Sequence, residues 1–141
     1  EDTPFRSSLA MSLAHAVLGL VAQAQGEERP TTPDHLRALD ALIAAHLSDG
    51  WTASDYASAL TISTGHLSRV CRESAGIGAT AYIEQNRMGE ACRMLAFTQL
   101  PVSEIGFRVG LSDASYFSKR FRKALGMSPI AYRRQFTHRM A

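Results

Sequence analysis

Residues 100–134 read LPVSEIGFRVGLSDASYFSKRFRKALGMSPIAYRR. Pro101 opens a short helix predicted to reach Val109, and Gly110 breaks it. Ser112 stands where it can cap a second helix running to about Leu125, which Gly126 stops. Ser128-Pro129 then caps a last helix to about Phe136. Short helix, tight turn and a second helix carrying basic residues make up a helix-turn-helix.

Shifted by 50 residues, the chain partly matches itself: Ser68 falls on Ser118, Arg72 on Arg122, Gly76 on Gly126, Ala81 on Ala131 and Tyr82 on Tyr132. Similar pairs are Leu67 with Phe117, Arg69 with Lys119, Cys71 with Phe121 and Ile77 with Met127. Each copy has the same order of helix, turn, basic helix, glycine stop and Ala-Tyr. A repeat that also keeps caps, turns and basic positions in register predicts two such units in tandem.

Outward from the repeat, every segment reads as helix. Residues 79–98 form a long linker helix, apolar at Tyr82, Ile83, Met88, Ala91, Met94 and Leu95. Gly89 within it allows either a bend or close packing. Thr52-Ala53-Ser54-Asp55 resembles a capping box, with Asp for the usual Glu or Gln, and opens a short helix to about Leu60. Ser63 caps the next, to about Ser74. Upstream, Thr32 is the predicted N-cap and Pro33 the first residue of a helix with Leu36, Leu39, Leu42, Ile43 and Leu47 on one stripe, ended by Asp49-Gly50. Residues 26–31 form a linker, and an additional N-terminal helix covers roughly 4–25, with Leu9, Leu13, Val17 and Leu20 on one side. No alternating stretch sits between turn residues, so no strand is predicted. The fold class is all-α: two helix-turn-helix subdomains, about 52–76 and 101–126, joined by the linker helix 79–98.

Composition sets bounds on this reading. The 141 residues are 45 % apolar, enough for one compact domain and an extra element. Mean hydropathy is −0.10, and no apolar run approaches the roughly 18–20 residues of a membrane span. Cys71 and Cys92 have no metal-like spacing and read as small buried apolar residues in a reducing cytoplasm. The net charge of +2 conceals an asymmetry: residues 1–50 carry three basic and seven acidic side chains, and the rest carry twelve and six. A basic C-terminal part suits a polyanionic partner. The chain opens on Glu1 rather than Met, as expected of a piece of a longer protein.

Spacing separates the faces of the two basic helices. In the first, Leu67, Val70 and Cys71 point inward, while Thr64, Gly65, Ser68 and Arg69 share the opposite face. In the second, Phe117, Phe121 and Leu125 point inward, and Ala114, Ser115, Ser118 and Lys119 outward. Arg72, Arg120, Arg122 and Lys123 lie toward the helix C-termini, better placed for phosphates than for bases. Tyr82 and Tyr132 are expected to cap the core of each half. Arg87 is expected either to pair with a carboxylate between the halves or to touch the DNA backbone.

Residues 33–137 resemble the DNA-binding domain of the AraC/XylS family of transcription regulators. The resemblance is carried by residues 100–134, by Ser63 through Gly76, and by Tyr82-Ile83, Arg87-Met88, Ala91 and Met94-Leu95. It implies base-edge contacts from Thr64, Gly65, Ser68 and Arg69 in one major groove and from Ala114, Ser115, Ser118 and Lys119 in the next. Arg69 can offer a bidentate fork to guanine, and Lys119 a point charge to the same acceptors. Gly65 and Ala114 depart from the family, where longer readers are common, and leave those positions to backbone approach or thymine-methyl contact. The linker helix, about 20 residues or roughly 30 Å long, suits major-groove faces about 34 Å apart.

The resemblance implies a sequence-specific regulator, an activator by family habit. Residues 31–141 would be its DNA-binding domain, and residues 1–30 the tail of a sensor or dimerisation domain. Double-stranded promoter DNA is the expected partner. RNA polymerase and a second copy joined through the N-terminal helix are further candidates, and any small-molecule effector would act through a region outside this chain. No membrane, cofactor, metal or catalytic residue is expected. The five histidines lie near no acid or nucleophile at catalytic spacing, and Cys71 occupies the slot of Phe121, unlike the reactive cysteine of a DNA-repair methyl acceptor in the family. The competing reading is a protein-interaction module that kept the fold without DNA binding, which Gly65 and Ala114 favour.

Overall fold

The computed structural model of the chain describes residues 29–140, with side chains described through Thr137. Its regular elements are all helical: α1 (Thr32–His46), a 3-10 turn (Leu47–Asp49), α2 (Ala53–Leu60), α3 (Thr64–Ala75), α4 (Ala79–Phe97), α5 (Val102–Arg108), α6 (Ala114–Leu125) and α7 (Pro129–Met140). The helix expected at 4–25 lies outside the described residues.

Local chemistry explains the boundaries and corrects three of them. Thr52 and Asp55 form the expected reciprocal box: the Thr52 side chain accepts from the Asp55 amide, and the Asp55 carboxylate accepts from the Thr52 amide. Thr31, not Thr32, caps α1. Its hydroxyl accepts from the Asp34 amide at 3.3 Å while Asp34 accepts from the Thr31 amide at 3.0 Å. The acid three residues on selects the earlier threonine, and Pro33 becomes the second helical residue. At α6 the cap is Asp113 rather than Ser112, its carboxylate accepting from the Tyr116 amide at 3.0 Å. Ser128 caps α7 as expected, accepting from the Ala131 amide, but that helix runs on to Met140 because no breaker follows Phe136.

The chain divides into two compact units. One comprises the chain up to Ala45 with Thr52–Tyr82, the other His46–Trp51 with Ile83 onward. α4 belongs to both, its first turn to one unit and the rest to the other. In the first unit, α1 contributes buried Leu39 and Ile43, α2 Tyr56 and Ala57, and α3 Leu67, Val70 and Cys71. The turn between α2 and α3 places Thr61 at φ +60°, the left-handed region, where a β-branched residue costs about 1–2 kcal/mol. Asp40 of α1 accepts from the Tyr82 hydroxyl at 2.5 Å, so Tyr82 closes this half as expected.

In the second unit, Met88, Ala91, Met94 and Leu95 of α4 pack with Ile105, Val109, Leu111, Phe117 and Phe121. The Phe121 ring lies 5.9 Å from Phe117 and 5.7 Å from Tyr132 of α7. A side chain at Gly106 would begin 3.0 Å from the Phe117 ring, so glycine lets α5 and α6 cross this closely. Gly110, at φ +87°, faces the strap His46–Trp51, and a Cβ there would stand 2.5 Å from the Leu47 carbonyl oxygen. On the strap, the His46 imidazole stacks on the Trp51 indole at 3.8 Å.

Arg87 is the buried charge of this unit, 7 % exposed. Its guanidinium donates to the Val109 carbonyl at 2.7 Å, the Trp51 carbonyl at 3.4 Å and the Glu84 carboxylate at 3.3 Å. Of the two expectations for it, the carboxylate pair forms, though its partner Glu84 lies three residues away on its own helix, and burial leaves the guanidinium little surface for DNA.

The equivalent core positions Phe121 and Cys71, both buried, differ in how much apolar volume they supply. Phe121→Ala should open a cavity and cost roughly 3–5 kcal/mol, whereas Cys71→Ala, which removes a single sulfur, should cost much less. Urea unfolding of both variants checks this; equal losses would mean that α6 is not packed through Phe121.

Candidate nucleic-acid interface

α3 and α6 are built alike. Each begins at a side-chain cap, Ser63 accepting from the His66 amide at 3.0 Å and Asp113 from Tyr116. Each ends at a left-handed glycine whose amide returns to the helix, Gly76 to Arg72 and Gly126 to Arg122. The caps and stops fix which residues begin the first turn and which face is buried.

On α3, Thr64, Gly65 and Arg69 are exposed, as is Arg72 toward the C-terminus. Ser68 is half-buried, and its hydroxyl accepts from the Ala79 amide at 3.4 Å. It thus ties α3 to the start of α4, with its proton still available to another partner. Arg72 lies over Gly78, where a side chain would begin 3.3 Å from its guanidinium.

On α6, Ala114, Ser115 and Lys119 are exposed, Ser118 is half-buried, and Arg122 and Lys123 stand exposed in the last turn. No acid lies within α6 to offset these cations. Arg120 departs from its expected role. Its Nε donates to Glu84 of α4 at 3.0 Å, a second guanidinium nitrogen donates to the same carboxylate, and a third donates to the Tyr116 hydroxyl at 2.7 Å. The guanidinium is thus engaged by Glu84 and Tyr116 rather than standing free in the last turn.

Four further residues emerge that spacing along the chain did not reveal. Glu84 receives both Arg87 and Arg120. Tyr116 is 49 % exposed on the helix that carries the expected readers, a signal visible in the sequence as an aromatic off the apolar stripe. Arg133 of α7 donates to the Leu95 and Thr98 carbonyls at 3.1 and 3.2 Å, satisfying the C-terminal end of α4 with a cation. His35 of α1 meets His66 of α3 edge-on, ring centroids 5.0 Å apart.

Burial pushes the Cys71 and Cys92 thiols up, Cys71 further through Asp40 and Cys92 against a hydrogen bond with Tyr132, away from the thiolate a nucleophile needs. Among the described residues no group of three or more His, Cys, Asp or Glu could hold a metal ion. No described helix is long and apolar enough to cross a membrane.

A profile described as a helix-turn-helix domain matches residues 56–135, more than half of the chain. The regulatory protein PocR of Salmonella typhimurium is 34 % identical over 116 residues, 81 % of this chain and 38 % of that protein. The chain therefore spans well under half the length of this curated relative. Among solved structures, the C-terminal domain of AraT, a response regulator from Geobacillus stearothermophilus, is 37 % identical with a TM-score of 0.66, covering 77 % of this chain and 88 % of that one. The DNA-binding domain of the global transcriptional factor AdpA, solved in complex with a target DNA, is 26 % identical with a TM-score of 0.65, covering 72 % and 91 %.

The histidine pair gives the first unit a pH dependence. Burial, then the neighbouring His66, holds the His35 imidazole below its ordinary value, against a smaller opposing effect of Asp34. Its Nδ1 is buried and has no hydrogen-bond partner among the described residues. With the folded pKa depressed, the unfolded chain binds the proton first, so stability falls as pH drops below about 6.5 toward the folded value. Urea midpoints at two pH values on either side of that window should move less in His35→Gln than in the unaltered chain. Equal movement would mean that His35 is not the linked group.

Proposed function

This chain belongs to the AraC-type helix-turn-helix family of DNA-binding transcription regulators, and we propose that it binds one promoter site through α3 and α6 in adjacent major grooves. The observation that carries this is the equivalence of the two helices. Both are N-capped, both bury an apolar stripe, and both expose a cation at the same repeat position, Arg69 on one and Lys119 on the other. α4, a helix of 19 residues, contributes to both units.

We assign Thr64, Gly65, Arg69, Ala114, Ser115 and Lys119 to the base-facing surface, with Ser68 and Ser118 at its half-buried edge. Arg72, Arg122 and Lys123 face phosphates. Residues 31–141 serve as the DNA-binding domain of a cytoplasmic activator, the mode that predominates in the family. The apolar inward faces and the regulator relatives favour a binding module over an enzyme. Dimerisation through residues 4–25 and contact with RNA polymerase belong to the same proposal, the first resting on the spacing of Leu9, Leu13, Val17 and Leu20.

Two base clusters about 10 bp apart on one DNA face should be protected by each monomer. Arg69→Ala should cost roughly 1–3 kcal/mol and relax preference only in its own cluster. Lys119→Ala should act on the other cluster by less, lacking the planar fork, and the two losses should nearly add. Arg122→Ala should instead flatten the salt dependence and weaken all duplexes alike. Inserting half a turn, about 5 bp, between the clusters should abolish simultaneous engagement. Footprinting and anisotropy titrations read all of these; unchanged affinity after insertion would reduce the mode to a single unit.

A further inference from the structure

Three side chains of the second unit form a connected series that the assignments above leave unused. Glu84, near the start of α4, holds Arg120 of α6 through two guanidinium nitrogens. Arg120 turns its remaining terminal nitrogen onto the Tyr116 hydroxyl at 2.7 Å, one helical turn back, with its guanidinium carbon 5.2 Å from the Tyr116 ring centre. Arg87, itself buried, donates to the same Glu84 carboxylate at 3.3 Å. The series thus runs from the interior outward and ends at a phenol that is 49 % exposed.

We propose that Tyr116 is a DNA-contacting residue, its phenolic O–H donating to a backbone phosphate oxygen, with Glu84 and Arg120 as the positioning residues that hold it in place; the inference rests on the DNA-binding reading above. Tyr116 follows Ser115 directly and lies three residues before Lys119, so it flanks the base-facing surface of α6. Its oxygen accepts from Arg120, which leaves the phenolic proton for an outside acceptor. Tyr116 makes no other side-chain hydrogen bond among the described residues.

The chemistry selects a phosphate. An O–H donor backed by a cation suits an anionic acceptor, which describes a phosphate oxygen, whereas the acceptors of a base edge are neutral. The ordering matters as much as the charge. An exposed tyrosine loses rotamer freedom on binding, and this one is restrained beforehand by a guanidinium that is itself fixed on a carboxylate. Two guanidinium nitrogens of Arg120 are spent on Glu84 and the third on Tyr116, so the more exposed phenol is the end of the series that meets an outside acceptor.

The test uses the full 141-residue chain and a duplex that it enriches from a random-sequence library. Tyr116→Phe keeps the ring and removes only the hydroxyl. It should weaken binding about tenfold, with an unchanged urea midpoint. A series of duplexes, each with one phosphate made neutral as methylphosphonate, should contain a position at which the unaltered chain binds no better than Y116F. Glu84→Gln should shrink the cost of Y116F in a double-mutant cycle, a coupling that a general loss of stability does not produce. If Y116F binds every duplex as the unaltered chain does, or if its deficit persists on every methylphosphonate duplex, the phosphate contact is wrong while the DNA-binding reading stands. If the unaltered chain shows no salt-dependent binding to any duplex, both fall.

Discussion

The second unit is organised around a charge that water does not reach. Arg87 is held by two backbone carbonyls and one carboxylate, and each acceptor belongs to a different part of the fold: the end of α5, the strap before α2, and α4 itself. A buried guanidinium tolerates no loose geometry, because an unmet donor in the interior costs as much as the bond it lacks. The requirement acts on all three partners at once. It fixes where α5 stops, keeps the strap against the unit and turns Glu84 toward Arg120. Removing the cation would leave the Val109 and Trp51 carbonyls without their shared donor, while Glu84 would keep Arg120.

The two units are copies in plan and differ in how they fill their interiors. Where α6 presents Phe117 and Phe121, α3 presents Leu67 and Cys71. The helix before each changes in the opposite sense, from buried Tyr56 in the first unit to Gly106 in the second. Volume is traded across the helix pair, the only change a close-packed interior accepts at low cost. An internal comparison by residue identity therefore understates the likeness. Positions that differ most in size are partners in one compensation, and the conserved plan lies in caps, stops and outward cations.

Much of the helical order was legible because its signals are local. Capping residues, glycine stops and spacing of three and four located every helix from α1 to α7; the errors were the choice between adjacent polar residues, Thr31 over Thr32 and Asp113 over Ser112, and the end of α7, where no breaker marks the stop. Those choices turn on which side chain also finds a reciprocal partner, a matter of angle that residue type does not carry. The roles of Arg87 and Arg120 were not legible. Arg120 was read as a phosphate contact on position alone, and Arg87 either as that or as the partner of an unspecified carboxylate. Val109 and Trp51 lie far along the sequence from Arg87, and Glu84 lies 36 residues from Arg120; no periodicity links such pairs. The exposed positions of α3 and α6 were read correctly as outward, since the apolar stripe opposite them is itself periodic. Ser68 was only partly so, because its tie to Ala79 depends on the turn between α3 and α4.

The strap also gives the molecule an optical consequence. Trp51 is the chain's one tryptophan, its indole lies under the His46 imidazole with the ring planes 8° apart, and the strap belongs wholly to the second unit. Emission excited at the indole band thus comes from a single point, stacked on the His46 ring. Circular dichroism averages over helices of both units, whereas this emission follows the second unit alone. The intensity and colour of one native fluorophore distinguish the melting of one repeat from that of its copy, with no label attached.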